Sequence, residues 1–98
     1  MQVNWQDEAK ENLDSILVYI ATKESIDKAL SVIDDLEAEG DKIGKMPYIA
    51  RKGRVENTRE WVSGKYPNYI IVYEINEQKS EIDILNVIHA KRDYPFIE

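Results

Sequence analysis

Cysteine is absent from the 98 residues, which excludes a disulfide framework and any thiolate zinc site and fits a reducing compartment. Long apolar runs are absent too. No stretch has the length to span a bilayer, and no N-terminal run has signal-peptide character, so the expected location is the cytoplasm, with no membrane partner. Histidine occurs once, at His89. The acids Asp34, Asp35, Glu37 and Glu39 have no imidazole near them and fall on the solvent side of a helical pattern. No metal or other cofactor is therefore expected. Arginine is missing from residues 1–50, where five Lys face eleven Asp or Glu, and all four arginines lie in the second half. The overall charge of −6 argues against tight, unaided binding to DNA, since clustered Lys and Arg supply most of that affinity. One stretch runs the other way: Lys42, Lys45, Arg51, Lys52 and Arg54 follow one another with no acid among them.

What is present suffices for one folded domain, 1–98. With 43% apolar residues the chain can offset its ordering entropy despite its charge, and a chain this short has room for one core. Val3 and Trp5 alternate with polar neighbours and predict a short first strand. Leu13, Ile16, Leu17 and Ile20 then recur at helical spacing, and the helix is expected to start at Gln6 or Asp7, with Asp7, Glu8 and Glu11 at its positive end. A second stripe, Ile26, Ala29, Leu30, Ile33 and Leu36, predicts a second helix that exits at Gly40 or Gly44. The link at 22–25 is short enough to make the pair an antiparallel hairpin. Met46-Pro47 resists helix continuation, so 45–57 is expected to be a loop.

The remainder predicts strands at 58–62, 69–75 and 82–88, rich in β-branched and aromatic residues. Positions 69–75 are apolar on both faces apart from Glu74, as in a central strand. Leu85, Val87 and Ile88 are expected in the core. The order β-α-α-β-β-β implies an α+β fold: an antiparallel sheet with an N-terminal helical hairpin packed on one face.

The segments Arg59-Glu60, Tyr66-Pro67-Asn68-Tyr69-Ile70-Ile71-Val72-Tyr73 and His89-Ala90-Lys91-Arg92-Asp93, in this order and spacing, resemble toxins of the RelE/ParE superfamily, the growth-inhibiting halves of bacterial type II toxin–antitoxin modules. The start, Val3-Asn4-Trp5 with Ala9 and the Tyr19-Ile20 helix, is similar to the ParE branch. The resemblance implies the same α+β fold, growth inhibition, a role in plasmid stabilisation, and a cognate antitoxin that neutralises the toxin by direct binding.

Two activities occur in the superfamily. RelE-type members are metal-independent, ribosome-dependent endoribonucleases whose strand cations and proton donors act on messenger RNA. Here Arg59 and Arg92 match that pattern, with His89 as a possible proton carrier, but Trp61, Ile70 and Glu98 stand where further cations or a tyrosine would be. ParE-type members lack the catalytic set and poison DNA gyrase without being enzymes, which the sequence resembles more closely. The resemblance thus points to gyrase as target, with the ribosome and its messenger RNA as the alternative, and with a non-toxic relic that serves as an antitoxin-binding co-repressor as another. Implied target-binding residues are Arg59, Glu60, His89, Lys91, Arg92 and Tyr94; implied antitoxin contacts are Lys45, Arg51, Lys52, Arg54 and Trp61. Each has a plainer alternative: Arg59 and Glu60 as cross-strand partners, His89 as a structural hydrogen-bonder, Trp5 and Trp61 as packing.

Overall fold

The apolar stripe of the first helix is buried as its spacing predicts: Ala9, Leu13, Ile16 and Ile20 lie in the core along α1 (Asp7–Lys23), with Leu17 packed at its margin. The next helix, α2 (Ile26–Lys45), begins at Ser25, whose side-chain oxygen accepts from the Lys28 N–H at 3.1 Å, a helix N-cap. These elements belong to a computed structural model that describes residues 1–92. A strand precedes them, β1 (Gln2–Trp5), and four follow: β2 (Arg51–Lys52), β3 (Thr58–Val62), β4 (Tyr69–Asn76) and β5 (Glu81–His89). The strands form one sheet in the order β1-β5-β4-β3-β2. The fold class is α+β, as the element order implies.

Four details differ from the sequence reading. The sheet is mixed, because β1 runs parallel to β5 with Val3 opposite Ile82 and Trp5 opposite Ile84; the two helices return the chain to the end of the sheet from which β1 started. The expected loop at 45–57 contains β2, where Arg51 pairs with Glu60 and Lys52 with Arg59. Helix α2 does not exit at Gly40 or Gly44 but runs through both to Lys45. Its buried face is Ala29, Val32, Leu36, Gly40, Ile43 and Gly44, whereas Ile26 and Leu30 are 63% and 50% exposed. The fourth concerns Leu85. A β-bulge sets Tyr73 against Ile84 and Val72 against Asn86, so Leu85 has no cross-strand partner and is only half-buried.

The glycines explain why α2 continues. A Cβ on Gly40 would lie 2.5 Å from Trp5 Cζ2 and 3.3 Å from Ile84 Cδ1, and one on Gly44 would lie 2.7 Å from Val3 Cγ2 and 2.8 Å from the Met1 carbonyl oxygen. Here glycine permits close approach of a helix to an edge strand rather than chain reversal. Left-handed backbone occurs instead at Asn57 and Ser80, with φ of 67° and 57°, which close the turns before β3 and β5.

The central strand β4 is buried from Tyr69 to Tyr73. Alternation sends Tyr69, Ile71 and Tyr73 toward the helices, and Ile70 and Val72 to the opposite face, where they cluster with Ile88. The Tyr73 hydroxyl donates to the Pro47 carbonyl at 2.6 Å, which moors the segment after α2 to the core. Where β1 ends, Asn12 takes over the edge of β5: its Oδ1 accepts from the Val87 N–H at 3.0 Å and the Asn86 side chain at 3.2 Å.

Two effects compete in Gly40→Ala. Helix propensity favours alanine by about 1 kcal/mol, while forcing a methyl against the Trp5 ring costs about 1–3 kcal/mol. Net destabilisation is expected by urea denaturation. Gly64→Ala, at a site with nothing within 4 Å of the new methyl, should stay within about ±0.5 kcal/mol; equal values for the two would refute the close-approach reading.

Candidate functional site

Adjacent residues on a strand point to opposite faces, and this separates Arg59 from Glu60. Glu60, opposite Val72, faces away from the helices. It is 3% exposed, and its charge is matched by Arg51, whose Nε and Nη2 donate to Oε1 at 3.3 and 3.0 Å. The Arg54 N–H donates to Oε2 at 3.0 Å. The carboxylate thus fastens β2 and the following turn to β3, with the Arg51 side chain itself 55% exposed.

Arg59, opposite Tyr73, faces the helical side. Its Nη1 donates to the carbonyls of Ala50 (2.7 Å) and Tyr48 (3.2 Å), and its Cζ lies 5.4 Å from the Tyr48 ring centroid. Burial pushes the Tyr73 hydroxyl's pKa up, with the Arg59 charge acting in the opposite direction. Tyr48, Lys52, Asn57, Arg59 and Glu77 border an open cleft of about 550 Å³. The sequence pattern does not single out Tyr48; its place in an acid-free basic stretch is the available signal.

A second group lies between α2 and the β3–β4 connection. Glu39 accepts from Trp61 Nε1 (3.0 Å), the Ser63 hydroxyl (2.5 Å) and the Gly64 N–H (3.0 Å). Asp35 accepts from the Tyr66 hydroxyl (2.5 Å) and pairs with Lys65 (3.0 Å). Those two hydrogen bonds hold the Asp35 carboxyl below the usual carboxylate range. The Asp35 carboxylate, and after it burial, pushes Tyr66 up to about 12. The sequence reading assigned these acids to the solvent side. Asp35 and Glu39 are instead half-buried and hold the turn, because their helical positions are next to the sheet margin. Trp61 is half-buried and packs on the main core.

The third group is the end of β5. His89 pairs with Tyr69 at the end of the sheet, and their rings meet edge-on with centroids 5.5 Å apart. His89 Nδ1 accepts from the Lys91 N–H at 3.3 Å. Lys91 and Arg92 are exposed, and Arg92 Cζ lies 5.5 Å from the Tyr19 ring centroid on α1. Tyr94 lies outside the described residues.

Among the expected antitoxin contacts, Arg51, Lys52 and Arg54 gather on the β2–β3 hairpin. Lys45 is exposed at the last turn of α2, and Trp61 is held by Glu39. The residues expected of a ribonuclease do not converge. Arg59 is in register with Tyr73 and His89 with Tyr69, a separation of roughly 13 Å along the strand and roughly 10 Å across it. At the near end the Arg59 guanidinium is engaged by the Ala50 and Tyr48 carbonyls. Among the described residues no group of three or more His, Cys, Asp or Glu could hold a metal ion, and no helix is long and apolar enough to cross a membrane. Exposed cations gather at two separate places, Arg51, Lys52 and Arg54 on the β2–β3 hairpin and Lys91 and Arg92 after β5.

Known proteins place this geometry. The chain resembles a structure of the chromosomal ParDE TA system from P. aeruginosa, with a TM-score of 0.75 and 18% identity over 91% of this chain and 95% of that one. A structure of the toxin–antitoxin complex RelBE2 from Mycobacterium tuberculosis is similar with a TM-score of 0.60 and 22% identity, covering 90% of this chain and 95% of that chain. At these identities the likeness is one of fold. No curated protein is significantly similar in sequence. The family model for the ParE toxin of type II toxin–antitoxin systems, parDE, matches residues 3–94. The chain therefore belongs to the ParE toxin family of type II toxin–antitoxin systems.

Proposed function

We propose that this toxin inhibits growth in the cytoplasm by poisoning DNA gyrase, without acting as an enzyme, and that a cognate antitoxin neutralises it by direct binding. The observation that carries the choice of target is the dispersal of the cations a ribonuclease would need. Arg59 is engaged by two carbonyls at one end of the sheet, and His89 with Arg92 lies at the other. In addition, Ile70, where RelE-type toxins would carry an arginine, is buried. Stabilising a phosphorane requires preorganised charge at one point, and this separation is a poor basis for it. Recognition of a protein surface has no such requirement.

An antitoxin partner is supported by the family and by the two similar structures, each of a toxin–antitoxin system. The exposed cations Arg51, Lys52 and Arg54 on the β2–β3 hairpin, with Lys45 at the end of α2 and Trp61 on the helical face as separate further contacts, suit an antitoxin segment that orders on binding and wraps around the sheet. Coexpressed with the adjacent small gene, the chain should copurify with its product. Elution as free monomer at micromolar concentration would refute the partner.

Induced alone, the protein should cause filamentation and DNA-damage signalling before translation stops, and the purified chain should stabilise cleaved DNA with gyrase. Ribosome-dependent cleavage of messenger RNA with no effect on gyrase would overturn the target.

The two surfaces should also respond differently to truncation. Arg92→Ala is expected to stay within about 1 kcal/mol of the parent in stability, to bind the antitoxin still, and to lose most growth inhibition. Glu60→Ala should cost about 1.5–3 kcal/mol, since it removes charge-assisted hydrogen bonds to a buried carboxylate. Thermal melts with growth assays at matched expression separate these outcomes; an unfolded Arg92→Ala would make that residue structural.

A further inference from the structure

Neighbouring cross-strand pairs on β2 and β3 differ in charge. Arg51 and Glu60 form an ion pair, whereas Lys52 is opposite Arg59. The Gly53 N–H donates to the Thr58 carbonyl at 2.8 Å, so alternation along the ladder makes Lys52 and Arg59 a pair of the non-hydrogen-bonded kind, in which side chains are closer. Like charges directly opposite one another destabilise a sheet. Among the described residues neither cation has a salt bridge. The Arg59 guanidinium is bonded to the neutral carbonyls of Tyr48 and Ala50 and lies over the Tyr48 ring, and Lys52 is exposed. Both side chains border the cleft of about 550 Å³, and β2 is the last strand of the sheet.

We propose that the Lys52–Arg59 pair is an anion subsite that receives a carboxylate of the antitoxin. The proposal rests on the reading that an antitoxin segment binds the β2–β3 hairpin, and it moves Arg59 from the target-binding set to the antitoxin side. A carboxylate seated between the two cations makes charge-assisted contacts with both and relieves in the complex a repulsion present in the free toxin. The other walls of the cleft narrow the class of ligand. Glu56 and Glu77 border it too, with Glu77 accepting from the Tyr48 hydroxyl at 3.2 Å; they oppose a run of phosphates more than a single negative group. Val55, which is 47% exposed, and half-buried Ile75 add apolar surface to the same cleft. An acidic side chain flanked by apolar ones, on a segment that orders on binding, meets these conditions.

The test uses the full-length chain and the product of the adjacent small gene. Affinity is measured by titration calorimetry for the parent, Lys52→Gln and Lys52→Glu, with melting temperatures of each free toxin. Lys52→Gln removes both the repulsion and one anion contact: the free variant should melt at or above the parent temperature, while affinity falls roughly 10- to 100-fold, the loss expected for one hydrogen bond to a charged group. Lys52→Glu places a carboxylate beside Arg59 from within, so it should melt higher still and bind more weakly than Lys52→Gln. Replacing the antitoxin's acids one at a time by glutamine should find one whose loss weakens binding to the parent but adds little to Lys52→Gln. Unchanged affinity in both variants, or the lack of such an acid, would overturn the inference and leave the antitoxin as partner. So would a Lys52→Gln that loses affinity only because it melts below the parent. An RNA or DNA oligonucleotide that binds the parent more tightly than Lys52→Gln at physiological salt would assign the pair to phosphate and overturn it as well. Failure of the parent itself to bind the gene product would instead refute the antitoxin reading, and the subsite with it.

Discussion

A strand that is apolar on both faces must be covered on both, and β4 is such a strand from Tyr69 to Tyr73. It sits third of five in the sheet, with three of these side chains on the helical core and Ile70 and Val72 in the cluster on the other face. Each large apolar side chain buried there contributes about 1.5–3 kcal/mol. A cation in the same place would be left without its hydration, at a cost of several kcal/mol unless paired. From Tyr69 to Tyr73 the strand accordingly carries no charged side chain, and Arg59 and His89 lie in register with its opposite ends.

Helix α2 then sets both margins of the sheet by different chemistry. Toward β1 it presents Gly40 and Gly44, and the absence of side chains lets Trp5 and Val3 come close. Toward the β3–β4 connection it presents Asp35 and Glu39, which collect hydrogen bonds from Trp61, Ser63, Gly64 and Tyr66. Such bonds to charged acceptors are stronger than neutral ones. One helix thus holds the outer strand by contact and the turn by charge.

The charged residues of the β2–β3 hairpin divide their work in a similar way. Glu60 engages Arg51, and Arg59 engages the Ala50 carbonyl just before β2, while Lys52 stays exposed. At the opposite end, Lys91 and Arg92 project from a turn fixed by backbone bonds to Asn68 and His89. The exposed cations of the hairpin and of the turn after β5 therefore lie in separate places on the fold.

Composition and period were enough for the α+β class, the presence of two N-terminal helices and the central place of β4, because burial of apolar stripes at 3.6- and 2-residue spacing is a local property of the chain; the likeness to ParE toxins rested instead on particular segments, among them Arg59-Glu60 and His89 to Arg92. The mixed sheet was not legible, since strand direction depends on where the helical hairpin returns the chain. Nor was β2, whose two residues form a strand only because β3 is beside them. Gly40 and Gly44 read as a helix exit when considered alone and became contact points once β1 lay across them. The same holds for the charged residues: the sequence gathers Arg59, Glu60, His89 and Arg92 into one motif set, but which face each occupies, what each already binds, and the meeting of Arg92 with Tyr19 from seventy residues away depend on strand register and packing, which only the tertiary structure decides.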